Sequence, residues 1–143
     1  LMNVAQALLV MTNLPDEASA QLLAARLVDG RLAACVSILA PCRSIYRWHG
    51  RLEGAQEIPL LIKTTPERYS ALEAAIRADH PYELPEIIAV PLAHGLPEYL
   101  EWVATETRAE TQTKLRDMLM RLLLLLLLTF SAALHAEEPL PPE

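Results

Sequence analysis

The sequence is poor in cysteine, glycine and aromatic residues. Its 143 residues include two cysteines and four glycines, and aromatic residues make up 5%. Cys35 and Cys42 are too far apart for a CxxC motif, and the sequence contains no second pair of cysteines. This indicates partly buried thiols in a reducing compartment, the cytoplasm. No Gly-rich nucleotide loop, zinc pattern or nucleophile elbow is present in the sequence. These absences exclude the enzyme classes that such motifs define.

Positive charge is also scarce. Twelve Lys and Arg stand against 18 Asp and Glu, so the formal net charge is −6. Nucleic-acid binding needs a concentrated cationic face, and the arginines here do not cluster. The charge therefore argues against nucleic acid as a partner and favours cations. The length fits one domain with a substantial core.

Much of the 52% hydrophobic content lies near the C-terminus. Residues 122–134, LLLLLLLTFSAAL, carry no charge but are fewer than the ~20 that a membrane-spanning helix needs. They match the apolar region of a secretory signal peptide, about 7 to 15 residues long. We therefore interpret residues 109–143 as an extraneous tail, poorly ordered or helical, produced by read-through into a neighbouring exported protein. The alternative is a genuine C-terminal membrane anchor, which would make a membrane the partner of the tail.

Strand-like and helix-like patterns alternate along residues 3–108. Apolar, β-branched runs predict strands at 3–12, 32–50, 57–65 and 83–95. Apolar residues at helical spacing predict helices at 14–30, 66–79 and 97–108. Pro15 suits the first helical position, Gly30 a helix end, and Thr65 the cap of the second helix.

The helical patterns also predict which side chains face the core. The first helix carries an apolar stripe at Ala18, Leu22, Ala25 and Val28. The second helix carries a similar stripe at Tyr69, Leu72, Ala75 and Ile76. We expect both stripes to be buried against the sheet.

The order of elements predicts the fold class. Pro41 and Pro59 lie inside strand patterns and predict a bend, bulge or sheet edge, because proline cannot donate to a ladder. Gly50 between two strand-like stretches predicts a hairpin. The order βαββαβ with an added C-terminal helix predicts an α+β, ferredoxin-like sandwich, in which two helices cover one face of four antiparallel strands. The uncovered face is rich in Val, Ile and Leu, so we expect self-association into a ring.

Five segments in this order and spacing resemble the CutA divalent-cation tolerance family. They are LPDEASAQLLAARLVDGRLAACVSIL, SIYRWHGRLE, LIKTT, HPYELPEII and YLEWV, and the resemblance covers nearly all of residues 4–108. It implies a ferredoxin-like homotrimer in the cytoplasm that binds copper or other divalent cations in metal tolerance, without catalysis. The alternative that it implies is a PII-like trimeric sensor or interaction scaffold, with a small-molecule cleft between subunits.

The resemblance also implies candidate metal ligands. Some family members hold copper with a cysteine ending the first strand and a His-His pair before Pro-Tyr. Met11 stands at the place of the cysteine, or Thr12 in another alignment, and Asp79-His80 replaces the pair. Met11, Asp79 and His80 are therefore the candidate ligands. Cu(II) prefers imidazole nitrogen and then oxygen, whereas a thioether suits Cu(I).

A single imidazole is few for a strong Cu(II) site. Such a site would need His49, His94 or a second subunit to contribute another ligand. The alternative is that His80 has no metal role and is a helix-terminal histidine, stabilised by the negative end of the helix dipole.

Residues 80–87, HPYELPEI, form a stiff segment. Its two prolines impose extended geometry on the residues before them, which predicts a rigid turn from helix to strand. Rigidity also suits a binding site, because it holds His80, Tyr82 and Glu83 in place before a ligand arrives.

Polar side chains of the other strands are expected near this turn. They are Trp48, Glu53, Glu57 and Lys63. Lys63 ends an apolar strand and needs a carboxylate, and Glu57 or Glu83 of the same chain or a neighbour is the expected partner. This gives an intersubunit salt bridge. The alternative is an intersubunit cleft for a small anionic or aromatic ligand, lined by Trp48, Lys63, Tyr82 and Glu83.

Two aromatic residues lie on the last predicted helix. Tyr99 and Trp102 are one helical turn apart and are expected to pack against the sheet or the trimer rather than to hold a cofactor. The sequence shows no nucleophile–base pairing, so we do not expect an enzyme.

Overall fold

The computed structural model describes residues 6–135, with side chains at 6–111 and 114–129. The chain divides into two compact units, Leu1–Thr107 and Arg108–Glu143.

The first unit alternates strands and helices. Its strands are β1 (Leu8–Leu14), β2 (Cys35–Ile38), β3 (Cys42–Trp48), β4 (Arg51–Thr64) and β5 (Ile88–Pro91). Its helices are α1 (Glu17–Asp29), α2 (Tyr69–Asp79) and α3 (Pro97–Glu106), and a 3-10 turn at Pro66–Arg68 leads into α2. Residues 3–5 of the predicted first strand lie outside the described residues.

One antiparallel sheet organises this unit. The strand order is β2-β4-β1-β5, and β3 extends the sheet by pairing with the first half of β4. With β2 and β3 counted as one interrupted strand, this is the predicted βαββαβ ferredoxin-like arrangement. Side chains of α1 and α2 pack with those of β1 and β4 in the main core cluster. The predicted α+β fold is therefore confirmed.

A bulge separates β2 from β3. Ile38 pairs with Leu60 and Cys42 pairs with Glu57, so three residues, 39–41, lie opposite two, 58–59. An extra residue on one strand is a β-bulge, which bends the strand and increases its twist. Both Pro41 and Pro59 lie at this point, as predicted, although β4 is a central strand and Pro59 is not at an edge. The bend directs β3 and the first half of β4 into a long hairpin.

The hairpin ends in a two-residue turn. His49 and Gly50 have φ values of 46° and 76°, and Trp48 pairs with Arg51 across the turn. Two consecutive positive φ angles are typical of the tight hairpin turns that match strand twist. The hairpin predicted at Gly50 is confirmed.

The face of α1 that packs on the sheet differs from the predicted one. The buried residues of the helix are Ala20, Leu23, Ala24 and Leu27. The predicted stripe of Ala18, Leu22, Ala25 and Val28 is exposed and is therefore wrong. Both sets have helical spacing, because the run LLAA gives α1 apolar residues on two sides. The helix also begins later than predicted, since Asp16 is the N-cap and accepts a bond from the Ser19 amide at 2.8 Å.

The second helix packs as predicted. Leu72 and Ile76 are buried, and Tyr69 and Ala75 pack against the same core. Thr65 is the N-cap of the 3-10 turn that leads into α2, as predicted, but its side chain makes no capping bond. Its hydroxyl instead lies 3.5 Å from that of Thr107, which follows α3.

The sheet face opposite α1 and α2 leaves Ile88 and Val90 exposed among the described residues of the first unit. Because side chains alternate along a strand, the residues between the buried ones of β1, β4 and β5 point to this side. Cross-strand pairing groups them into two rows, Leu61–Met11–Ile88 and Lys63–Leu9–Val90. We call these six residues the open face.

Thr12 is a buried hydroxyl without a hydrogen bond. It is 1% exposed, and its Oγ1 has no partner within the described residues. An unsatisfied buried polar group costs ~1–3 kcal/mol. We therefore expect Thr12→Val to raise the free energy of unfolding by ~1 kcal/mol, measured by urea denaturation at fixed protein concentration.

Thr64 provides the matched control for this prediction. It is also buried, but its Oγ1 donates to the Leu32 carbonyl at 2.7 Å. Thr64→Val leaves that carbonyl without its partner and should lower the free energy of unfolding by ~1 kcal/mol. Equal effects of the two substitutions would contradict the assignment.

The second unit contains one long helix in its described part. Helix α4 spans Glu110–His135, and the side chains of residues 122–128 are exposed. No helix within the described part of the chain is both long and apolar enough to cross a bilayer. Residues 136–143 of the predicted tail lie outside the described residues. The interpretation of 109–143 as read-through stays a prediction, which the intact mass of the native protein tests.

Candidate functional site

His80 is held by hydrogen bonds at both ring nitrogens. It caps α2 in an extended conformation and is 8% exposed. Its Nδ1 accepts a bond from the Tyr82 amide at 3.2 Å, and its Nε2 lies 2.9 Å from the Asn13 carbonyl oxygen. A carbonyl only accepts, so Nε2 carries the proton and the ring is neutral. A metal ion would have to displace one of these bonds to bind the ring.

Asp79 and Met11 do not join His80. The Asp79 carboxylate forms an ion pair with the Arg26 guanidinium at 2.8 Å, which ties the end of α2 to α1. Met11 lies in the open face between Leu61 and Ile88, on the sheet side opposite the helices. The structure therefore does not bring these three residues together within the chain, and a metal site that includes them stays a prediction. The spacing along the sequence did not reveal that Met11 and Asp79 lie on opposite sides of the sheet.

No ready-made metal cluster exists elsewhere in the described residues. No group of three or more His, Cys, Asp and Glu side chains is close enough to hold an ion in that part of the chain. His49 lies in the hairpin turn with its ring 4.7 Å from that of Trp48, and His94 is exposed before α3. Neither supplies the second imidazole that a strong Cu(II) site needs.

A cleft of about 610 Å³ lies between the β3–β4 hairpin and the HPYELPEI turn. Its aromatic and acidic lining consists of Tyr46, Trp48, Tyr82, Glu57, Glu83 and Glu86. Asn13, Ser44, Pro81 and Leu84 complete the lining. We call this the acidic cleft. Lysine and arginine are absent from the described residues that line it.

The fold explains why these residues meet. Ser44, Tyr46 and Trp48 alternate along β3 and therefore share one face. The bulge turns this face toward the segment that follows α2. On the other side, the Asn13 amide donates to Glu86 at 2.5 Å and links the end of β1 to the turn. The cleft is thus framed by two rigid elements, a hairpin and a proline-stiffened turn.

Glu57 is the buried carboxylate of the acidic cleft. It is 7% exposed, and it forms no ion pair with a lysine or arginine of the described residues. Burial raises the pKa of Tyr82 to about 12, and the charge of Glu57 and the hydrogen bond between the two side chains act in the same direction. The Tyr82 hydroxyl therefore stays protonated and donates to Glu57. Glu57 is therefore a buried carboxylate whose hydrogen-bond partner, the Tyr82 hydroxyl, carries no charge.

Lys63 does not line the acidic cleft. Its Nζ donates to the Ser37 hydroxyl at 2.6 Å and lies 3.5 Å from the Leu61 carbonyl, so it belongs to the open face. A salt bridge to Glu57 or Glu83 of the same chain is wrong, and the intersubunit pairing stays a prediction. Of the four predicted cleft residues, the structure brings together Trp48, Tyr82 and Glu83.

Glu53, Tyr99 and Trp102 also lie outside the cleft. Glu53 is exposed on the hairpin. The rings of Tyr99 and Trp102 are 5.5 Å apart on α3, and the Tyr99 hydroxyl is 3.8 Å from the Cys35 sulfur.

Sequence reasoning missed several cleft residues. Asn13 and Glu86 are 73 positions apart, and no local pattern joins them. Ser44 and Tyr46 did carry a signal, because they alternate with Trp48 on one predicted strand.

The protonation of His80 should couple stability to pH. Burial lowers the pKa of His80 below its usual 6.5, while the bond to Asn13 and the charge of Glu57 act in the opposite direction. The unfolded chain therefore binds a proton at a higher pH than the folded chain. Stability is fully present above 6.5 and is lost as the pH falls from 6.5 toward the folded pKa. We expect the free energy of unfolding to fall between pH 7.5 and 5.5 (about one unit either side of a free imidazole).

His80→Gln isolates this contribution. The variant keeps the exposed His49 and His94. Its unfolding free energy should change less over the same pH interval in urea denaturation. An identical pH slope in the two proteins would contradict the assignment.

The fold and the cleft together define a ferredoxin-like α+β protein with an acidic pocket beside its sheet. The family model for CutA1, described as a divalent ion tolerance protein, matches residues 8–106. The chain belongs to this CutA1 divalent ion tolerance family.

Curated relatives support the family assignment. The chain is 45% identical over 98 residues to the divalent-cation tolerance protein CutA of Thermus thermophilus, covering 68% of this chain and 95% of the relative. It is 38% identical over 106 residues to CutA of Citrobacter koseri, covering 74% and 92%.

Solved structures share the fold. CutA from Xylella fastidiosa superposes with a TM-score of 0.70 at 47% identity, covering 71% of this chain and 98% of that one. CutA1 from Oryza sativa gives a TM-score of 0.71 at 34% identity, covering 73% and 96%. The structure from Archaeoglobus fulgidus, described as a periplasmic divalent cation tolerance protein, gives 0.69 at 32% identity, covering 71% and 99%. All of these likenesses fall within the length of the first unit.

Proposed function

We propose that the chain is a non-catalytic protein that binds a divalent cation, Cu(II) being the first to test, in the response to metal ions. The names of its relatives connect the family with divalent-cation tolerance. The observation that supports binding by this chain is the acidic cleft, where Glu57 is buried without a cationic partner in the described residues. Its hydrogen-bond partner, the Tyr82 hydroxyl, is neutral, so a cation would add the charge pairing that a buried carboxylate favours.

The cleft offers mostly oxygen ligands. The carboxylates of Glu57, Glu83 and Glu86 line the cleft without forming a ready-made three-ligand cluster, so a metal ion would have to draw them together around Glu57. The Tyr82 phenol is hydrogen-bonded to Glu57. Oxygen ligands suit Mn(II) and other hard cations, and Cu(II) accepts them after imidazole nitrogen. The His80 ring lies beside Tyr82, with 4.9 Å between ring centroids, and becomes a ligand only if the Tyr82 amide releases its Nδ1.

Calorimetric titration tests this proposal. Wild-type protein should bind Cu(II) or Mn(II) saturably, and Glu57→Gln should weaken binding at least about tenfold, about 1.4 kcal/mol. Glu53→Gln is the matched control, because it removes a carboxylate from the same strand outside the cleft lining. Unchanged binding in Glu57→Gln, or the absence of binding in wild type, would contradict the cleft as the metal site.

We also propose that the protein is a homotrimer in the cytoplasm. The open face supports assembly, since its apolar residues Ile88 and Val90, one at the β5 end of each row, are exposed. In a trimer, Lys63 of one copy, which bonds to the Ser37 hydroxyl within its own chain, would pair with a carboxylate of another copy. Free Cys35 and Cys42 support a reducing compartment. Light scattering should give three times the protomer mass, and a monomer at micromolar concentration would contradict the assembly.

A second candidate function is a PII-like sensor of a small molecule. The cleft volume of about 610 Å³ favours it, because a metal ion needs far less room. Sites for small molecules have volumes of ~300–1,000 Å³ and a partly aromatic lining.

A further inference from the structure

We propose that the acidic cleft binds an organic ammonium ion, so that the effector is a small cationic molecule rather than an anionic one. This inference rests on the second candidate function, effector binding in the cleft. The alternative drawn from the sequence was a small anionic or aromatic ligand, and the charge of the cleft favours a cationic one instead.

The charge of the lining favours a cationic ligand. Three carboxylates, Glu57, Glu83 and Glu86, face the same space, and the described lining contains no lysine or arginine. A cleft lined by one sign of charge concentrates ligands of the opposite sign. Lys63, the cation that would have attracted an anion, is engaged with Ser37 on the open face. An anionic ligand would therefore meet repulsion without compensation.

The aromatic residues of the lining favour an organic cation over a metal ion. Tyr46, Trp48 and Tyr82 line the same cleft as the carboxylates. An ammonium group near an aromatic ring gains ~0.5–2 kcal/mol, more when water is excluded. A bare or hydrated metal ion would use the carboxylates and leave the rings unused. An organic cation uses both parts of the lining, because its charge meets Glu57 and its carbon atoms meet the rings.

Hydrogen bonds order several side chains of the lining before a ligand binds. The Asn13 amide holds Glu86, and the Tyr82 hydroxyl bonds to Glu57. Tyr82 is further fixed by its amide bond to His80. A lining that is already ordered loses little entropy when a ligand binds. The acidic cleft is therefore prepared for a ligand of defined charge and shape.

Three benzyl compounds of different charge test the proposal on the full chain. Benzylammonium, benzyl alcohol and benzoate share a ring and differ in charge. By calorimetry, benzylammonium should bind saturably, and benzyl alcohol and benzoate should bind at least about tenfold more weakly. Glu57→Gln and Trp48→Ala should each weaken benzylammonium about tenfold or more, whereas Glu53→Gln should leave it unchanged. Circular dichroism and light scattering confirm that each variant is folded and assembled like wild type.

The outcomes separate this inference from the proposed metal function. Benzoate binding as tightly as benzylammonium, or equal benzylammonium affinity in wild type and Glu57→Gln, would overturn it. So would the absence of saturable benzylammonium binding, the result expected if Lys63 of a neighbouring copy neutralises Glu57. Cu(II) or Mn(II) binding that persists in that case would leave the metal proposal standing. Competition between Mn(II) and benzylammonium for wild-type protein would show that both cations use the acidic cleft.

Discussion

Met11→Asp is expected to convert the protein from a trimer into a monomer. Met11 lies at the centre of one row of the open face, paired in register with Leu61 on one side and Ile88 on the other. In the proposed trimer this row is buried against another copy. A carboxylate there would lose its water without gaining a partner, which costs several kcal/mol per subunit. Light scattering should show a mass near the 15.9 kDa of the chain instead of three times that value.

Met11→Leu is the control for assembly and for metal binding. Leucine keeps the volume and the apolar character of the side chain, and such swaps usually cost less than ~1.5 kcal/mol. The variant should remain trimeric and should also keep its metal affinity, since the structure places Met11 away from the acidic cleft. A trimeric Met11→Asp protein would contradict the assigned interface. Loss of copper binding in Met11→Leu would restore Met11 as a ligand.

Leu23→Ala is expected to destabilise the protein by ~2–5 kcal/mol, the range for truncating a buried leucine to alanine. Leu23 is 3% exposed and packs in the main core cluster with Leu27 and residues of the sheet. The truncation removes apolar contact and leaves a cavity that the neighbouring side chains fill only in part. Urea denaturation at fixed protein concentration measures the loss.

The neighbouring leucine provides the matched comparison. Leu22 is 62% exposed, so Leu22→Ala should change the free energy of unfolding by less than ~0.5 kcal/mol. The two variants make the same chemical change in the same helix, one position apart, so helix propensity cancels. The sequence pattern predicted the opposite order, with Leu22 in the core. A larger effect at Leu22 would show that α1 packs with the predicted face.

Sequence predicted the order of elements because hydrophobic periodicity is local. A strand is recognised by its own apolar run, and prolines mark interruptions such as the bulge at Pro41. The orientation of α1 was predicted wrongly because the run LLAA gives it two apolar sides. The sheet selects between them, and only the three-dimensional packing contains that information. Boundaries shifted for the same reason, since β4 extends into the hairpin only by pairing with β3.

The candidate site, like the fold, depends partly on residues that are neighbours in sequence and partly on residues that are far apart in sequence. The stiffness of HPYELPEI follows from its own prolines, and His80, Tyr82 and Glu83 were placed correctly on that turn. The structure does not bring the candidate metal ligands together within the chain, because Met11 and Asp79 lie on opposite sides of the sheet, which spacing along the sequence does not reveal. The partner of Lys63 depends on the register of β2 with β4, which sets Ser37 beside Leu61. Long-range pairing therefore decides which charged groups meet.

The fold explains where the acidic cleft lies. The bulge between β2 and β3 directs β3 and the first half of β4 into the hairpin that forms one wall, and the turn after α2 forms the other. Glu57, Glu83 and Glu86 therefore line one space, and no lysine or arginine is among the described residues of that lining. The open face lies on β1, β4 and β5.

Anomalous X-ray diffraction from crystals soaked in Cu(II), with data collected at the copper edge, would locate the bound metal. We expect a copper peak in the acidic cleft, within bonding distance of the Glu57 carboxylate. A peak bonded to Met11 or Asp79 outside the cleft, or ordered crystals without any peak, would contradict it.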